Sequence, residues 1–157
     1  MRHSKIQFIR SLGYLESNAD DRLYSALMLQ PRIVGSITVI GVLLQAPSVF
    51  LALSAALAWS AFVPTRSVFD AIYHYGVARP RNLEPLAPAP APRRFAGGLA
   101  GIVTLAIGVA LLTGATTTAW ALQAVMAVAV TAVVVGRSCA GADLYNALLL
   151  RIVRLPL

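Results

Sequence analysis

Two long stretches without a single charge limit what this chain can fold into. Residues 33–65, between Arg32 and Arg66, carry no charge over 33 positions, and residues 95–136, between Arg94 and Arg137, carry none over 42. A membrane-spanning helix needs about 20 apolar residues. The second stretch is therefore long enough for two crossings with a turn between them. That turn is expected at residues 113–118, where Gly114 and four threonines interrupt the aliphatic run. In the first stretch the natural break is Ala46-Pro47-Ser48, because proline disfavours helix in the residue before it. A first helix is expected to begin at Pro31, a residue suited to the first helical position, with Arg32 snorkelling to the interface. A second is expected over 47–63. One long kinked crossing is the alternative, but at about 1.5 Å per residue the stretch exceeds one ordinary crossing. Both helices of such a hairpin would be short, which implies local thinning of the bilayer.

Composition agrees. Charged residues make up 12% of the chain and apolar ones 58%, whereas a soluble domain is about 25% charged. That excludes an ordinary soluble globule, and disorder as well, which needs low hydrophobicity. The formal charge of +7 would fit a nucleic-acid partner, but the basic residues show no interleaved base-stacking aromatics, and no nucleic-acid partner is expected. Their positions carry a different message. Arg2, Lys5, Arg10, Arg22 and Arg32 precede or open the first span. Arg66, Arg79, Arg81, Arg93 and Arg94 lie in the central loop, residues 64–94. Arg137, Arg151 and Arg154 follow the fourth span. All 13 basic residues thus fall on one side of four crossings. The positive-inside rule then places both termini and the central loop in the cytoplasm. Trp59 and Trp120 fall near span ends, as interfacial tryptophans do. The polar stretch before the first span is too long for the n-region of a cleavable signal peptide.

The expected architecture is all-α: a four-transmembrane-helix bundle over residues 31–157, with short interfacial amphipathic helices, preceded by a cytoplasmic or interfacial segment, residues 1–30. In that segment Ile6, Ile9 and Leu12 form an apolar stripe beside Lys5 and Arg10, suited to an anionic leaflet or to a solvated tail. Asn18 is placed to cap a helix whose first turn holds Asp20 and Asp21. Residues 66–77 read as a short helix on which Arg66, Asp70 and His74, four apart, share a face. Residues 85–92 alternate proline and form a stiff extended connector, and Arg93 and Arg94 mark the start of the third span at the headgroups. Gly97, Gly101 and Gly108 share one face of the third span, and the fourth is rich in alanine, as close helix packing in lipid requires. Gly141 is expected to break the helix before an amphipathic segment, residues 142–154.

Candidate chemistry is sparse. No span holds an ionisable residue in its middle, where an ion-coupled carrier would need one. Ser36, Thr38 and Thr104 read as packing or backbone-bonding residues. Cys139, the only cysteine, is the redox candidate, because Arg137 nearby would favour the thiolate. His74 and Asp70 are ligand candidates, with a hydrogen-bonded surface histidine as the plainer reading. No catalytic arrangement, phosphate loop or paired-cysteine zinc spacing is present, so no metal, cofactor or enzymatic activity is expected.

Three motifs carry a resemblance. Pro31-Arg32-Ile33-Val34 opens the first span, Pro90-Ala91-Pro92-Arg93-Arg94-Phe95-Ala96 leads into the third, and Cys139-Ala140-Gly141-Ala142-Asp143-Leu144-Tyr145 follows the fourth. The chain resembles the bacterial integral-membrane domain-of-unknown-function family 4395 over roughly residues 30–150. The third motif is similar to that family's Cys-x-Gly-Cys-x-x-Tyr. Ala142 stands where the family has its second cysteine, so the dithiol chemistry the pair implies does not carry over. The expected function is an accessory or scaffold subunit of the bacterial inner membrane that contacts lipids and binds partner membrane proteins. The alternatives are a redox or sulfur-handling protein using Cys139, or a carrier of a small neutral or lipidic solute.

Overall fold

A computed structural model describes residues 2–14, 21–63, 67–81 and 87–153. Among them there are helices and no strands. Seven α-helices follow in order: α1 (Arg2–Ser11), α2 (Asp21–Leu44), α3 (Pro47–Phe62), α4 (Val68–Tyr73), α5 (Ala91–Leu112), α6 (Thr116–Val134) and α7 (Ala140–Val153). After α4 the chain continues through a π-helical turn, His74–Ala78, and a 3-10 turn, Arg79–Arg81.

Three helices are long and apolar enough to cross a membrane: α2 over Leu23–Leu44, α5 and α6. The second expected span, α3, is apolar but has 16 residues, about 24 Å against a hydrocarbon core of about 30 Å. It nevertheless runs the length of α5. Ser54 Oγ donates to the Gly101 carbonyl at 2.9 Å, and Arg94 Nε donates to the Ala61 carbonyl at 2.8 Å. A Cβ built on Gly101 would lie 3.4 Å from Leu57 Cβ, and one on Gly108 would lie 2.8 Å from Leu51 Cδ2. As residue numbers rise along α3 they fall along α5, so the pair is antiparallel. The remaining neighbours are α5 with α6, α6 with α2, and α2 with α3. Their core is Val34, Phe50, Leu53, Leu57, Ile107 and Met126.

The turns follow from local chemistry. Gly114, with φ +74°, closes the α5–α6 turn inside the expected 113–118 segment, a backbone region glycine enters without the Cβ penalty. The α2–α3 turn contains Gln45 in the same region, with φ 45°. A reciprocal amide pair anchors that residue: Gln45 Nε2 donates to Gln123 Oε1 at 3.2 Å, and Gln123 Nε2 donates back at 3.4 Å. Gln123, buried within α6, thereby satisfies its amide where water is excluded.

Several expectations change. The first span does not begin at Pro31. Proline lies ten residues inside α2, and the helix runs through it. A proline ring costs a helix one hydrogen bond, and neighbouring packing makes this tolerable in membrane helices. Of the expected stripe Ile6, Ile9 and Leu12, the last two are buried with Phe8 against Leu27, Met28 and Ala142, and Ile6 is half-buried. Gly141 does not break a helix but sits in the first turn of α7, where its missing side chain lets Ala96 approach. A Cβ there would lie 2.9 Å from the Ala96 Cα. The alanines of α6 divide: Ala121, Ala124, Ala127 and Ala129 are exposed, Ala132 is half-buried and Ala119 is fully buried. Asn18, Asp20, Arg66 and Arg154 lie outside the described residues.

Candidate functional site

Arg93 stands in the first turn of α5, where the helix dipole disfavours a cation. It was expected at the headgroups, yet its side chain is 8% exposed. Burying a guanidinium needs a counter-charge and bonds for its fork of donors. Asp70, on α4, supplies the charge. Nη2 donates to Oδ1 at 2.6 Å and Nη1 to Oδ2 at 3.4 Å, a two-point carboxylate contact. Nη1 also donates to the Tyr14 hydroxyl at 3.0 Å, and Nη2 to Gln30 Oε1 at 3.1 Å. One side chain thus ties the segment after α1, the middle of α2, α4 and the start of α5. Ser67 helps to hold Asp70, its hydroxyl accepting from the Asp70 backbone N–H at 3.4 Å. Burial pushes the Tyr14 hydroxyl above its ordinary pKa, against the pull of the Arg93 charge.

Beside this cluster lies a cavity of about 150 Å³ between α1, α2, α5, α6 and the start of α7. Its walls are mostly apolar, and they include Gln30, Arg93 and Cys139. Cys139 precedes the first turn of α7, and its carbonyl accepts from the Asp143 N–H at 2.9 Å. The expectation of an acidic thiol does not hold. Burial pushes the Cys139 thiol above its ordinary pKa, and Asp143 adds to this, while the backbone N–H groups of Ala142 and Gly141 pull the other way. Arg137, in the left-handed region at φ 54°, places its guanidinium 5.8 Å from the centre of the Tyr24 ring. Ala142, at the position of the missing second cysteine, is fully buried.

This assignment predicts a pH profile. A raised pKa keeps the thiol protonated at neutral pH, so alkylation of folded Cys139 should be slower at pH 7 than that of a free cysteine. The rate should climb through a midpoint above the ordinary thiol value of about 8.5. Rates measured by mass spectrometry between pH 7 and 10 test this, and a midpoint below 8.5 would contradict it.

The other sequence candidates separate. Asp70 belongs to the Arg93 cluster. His74 does not: it is half-buried in the π-helical turn, stacks edge-on to Tyr75 at 5.1 Å between centres, and its Nδ1 is buried without a hydrogen bond. The fold places His74 half-buried and not on the surface. Gly101 and Gly108 face α3, whereas the nearest atom to a Cβ on Gly97 would be Gln30 Nε2 at 3.9 Å. Thr104 is buried and donates to the Ala100 and Gly101 carbonyls. Thr38 Oγ1 is buried without a partner, and Ser36 is exposed. Among the described residues no group of His, Cys, Asp or Glu is placed to hold a metal ion. Tyr14, Gln30 and Gln123 carry no signal in the sequence that separates them from other neutral polar residues; their roles come from partners distant in the chain.

Residues 27–149 match the family described as Domain of unknown function (DUF4395). Neither a curated protein nor a solved structure matches the chain. The match covers most of the sequence, and the chain belongs to that family.

Proposed function

We propose that this member of the family is a multi-pass protein of the bacterial inner membrane, with both termini in the cytoplasm, and that it serves as an accessory or scaffold subunit for other membrane proteins. In this reading α3 is the second of four crossings, because it lies antiparallel along α5 from Gly108 to Arg94. The observation that carries the scaffold role is α6. Of its most apolar stretch 17% is buried, against 28% for α2 and 33% for α5. Thr117, Ala121, Ala124, Val128, Thr131 and Val135 are all exposed, and their alternating spacing of four and three draws one seam along the helix. Small residues on such a seam let a second helix approach closely in lipid. Within the protein, other small residues, Gly101 and Ser54, already meet a neighbouring helix.

The internal polar groups support a rigid support over a moving carrier. Arg93, Asp70, Tyr14, Gln30, Gln45 and Gln123 bond to one another across elements, and the interior they join resists sliding. The test is purification in mild detergent from native membranes. Ala124→Trp is expected to leave thermal stability within about 0.5 kcal/mol, as substitutions at exposed positions do, and to remove a co-purifying membrane protein. If the unsubstituted protein purifies alone, the scaffold reading fails.

A further inference from the structure

We infer that the cavity between α1, α2, α5, α6 and α7 is a binding site for a compact, neutral, largely apolar molecule bearing one hydrogen-bond acceptor, held by the side-chain amide of Gln30. Size is the first argument. The cavity is partly open and measures about 150 Å³, a volume that takes a molecule of benzene's size. Wall chemistry is the second. Phe8, Leu27, Val34, Leu57, Met126 and Val130 line the space, so water would have few partners in it.

Polarity at one end is the third argument. Gln30 Oε1 is occupied, since it accepts from Arg93 Nη2 at 3.1 Å. That bond decides which way round the amide sits and leaves Nε2 as the outward group. Nε2 makes no hydrogen bond among the described residues and is the nearest atom to a Cβ built on Gly97, another residue of the cavity wall. It offers N–H donors and no acceptor. Arg93 also borders the space, but its charge is met at two points by Asp70, so an anion gains little there. A ketone or ester carbonyl on an apolar body meets these conditions. The site is separate from the α6 seam, and neither depends on the other.

Cys139 lines the same cavity and is the chain's only thiol, so its alkylation reports occupancy. The full chain in nanodiscs of zwitterionic lipid is treated with N-ethylmaleimide in the presence of acetophenone or ethylbenzene, two probes of similar shape that differ in the carbonyl. Both are expected to slow alkylation, with acetophenone acting at about fivefold lower concentration, the worth of one ordinary hydrogen bond. Gly97→Leu, which puts a side chain into the cavity, is expected to abolish the effect of both, and Gly97→Ala to weaken it. If neither probe slows alkylation of the unsubstituted protein, or if both slow it equally in Gly97→Leu, the site is overturned. Equal potency of the two probes overturns the role of Gln30.

Discussion

Arg93→Ala is expected to lower the stability of the folded chain by about 3 kcal/mol, the lower part of the range for removing one member of a buried ion pair. The lower part applies because the Asp70 side chain is 21% exposed, so some water reaches the carboxylate left behind. The loss includes the bonds to Tyr14 and Gln30, so the segment after α1 should loosen from α2 first. Arg93→Lys should recover only part, because an ammonium cannot make the two-point contact that spans both carboxylate oxygens. The paired change Arg93→Met with Asp70→Leu should be milder than Arg93→Ala alone, since it leaves no uncompensated charge. Reversible denaturation in detergent micelles measures all three. A loss below about 0.5 kcal/mol for Arg93→Ala, the range of a plain surface change, would show that the pair is not closed in the folded protein.

Gly101→Leu is expected to separate α3 from α5. A Cβ at Gly101 would already lie 3.5 Å from the Ala58 backbone nitrogen and 3.6 Å from the Ser54 carbonyl oxygen. These are atoms of a helix backbone, which moves only as a whole. Alanine should therefore be accepted at small cost, whereas leucine forces the helices apart, at about 1–3 kcal/mol for overpacking. It also breaks the Ser54–Gly101 bond and leaves a polar group unpaired in lipid. Gly108→Leu should cost at least as much, because a Cβ there would lie 2.8 Å from Leu51 Cδ2, 2.9 Å from its Cγ and 3.4 Å from its backbone nitrogen. Thermal unfolding followed by circular dichroism ranks the three variants. Leucine tolerated at both 101 and 108 would contradict the α3–α5 packing.

Much of the helix pattern was legible because each signal was local. Pro47 opens α3 and Gly114 closes the turn after α5, since both act through their own backbone angles. Pro31 misled for the same reason: its local preference for a helix start was overridden by packing on both sides of it. Arg93 could not have been told from Arg94 by composition. They are adjacent, and about 100° of helical rotation sends one into the interior and the other to the end of α3. Asp70 and Arg93 stand 23 residues apart, a distance at which no spacing rule applies. The α6 alanines show the reverse case. Small residues report that close packing is possible, and not which surface performs it.

The sequence alone determined the long apolar helices. Charge-free stretches of 33 and 42 residues are compatible with a membrane, where helices satisfy their own backbone groups. Tertiary structure decided where polarity is spent. It turned a boundary arginine into the centre of a four-part cluster, half-buried the Cys139 thiol, and brought Gln30 to the wall of a mostly apolar cavity. Each of those outcomes depends on which side chains meet across elements distant in the chain, a matter of packing geometry that residue order does not encode locally.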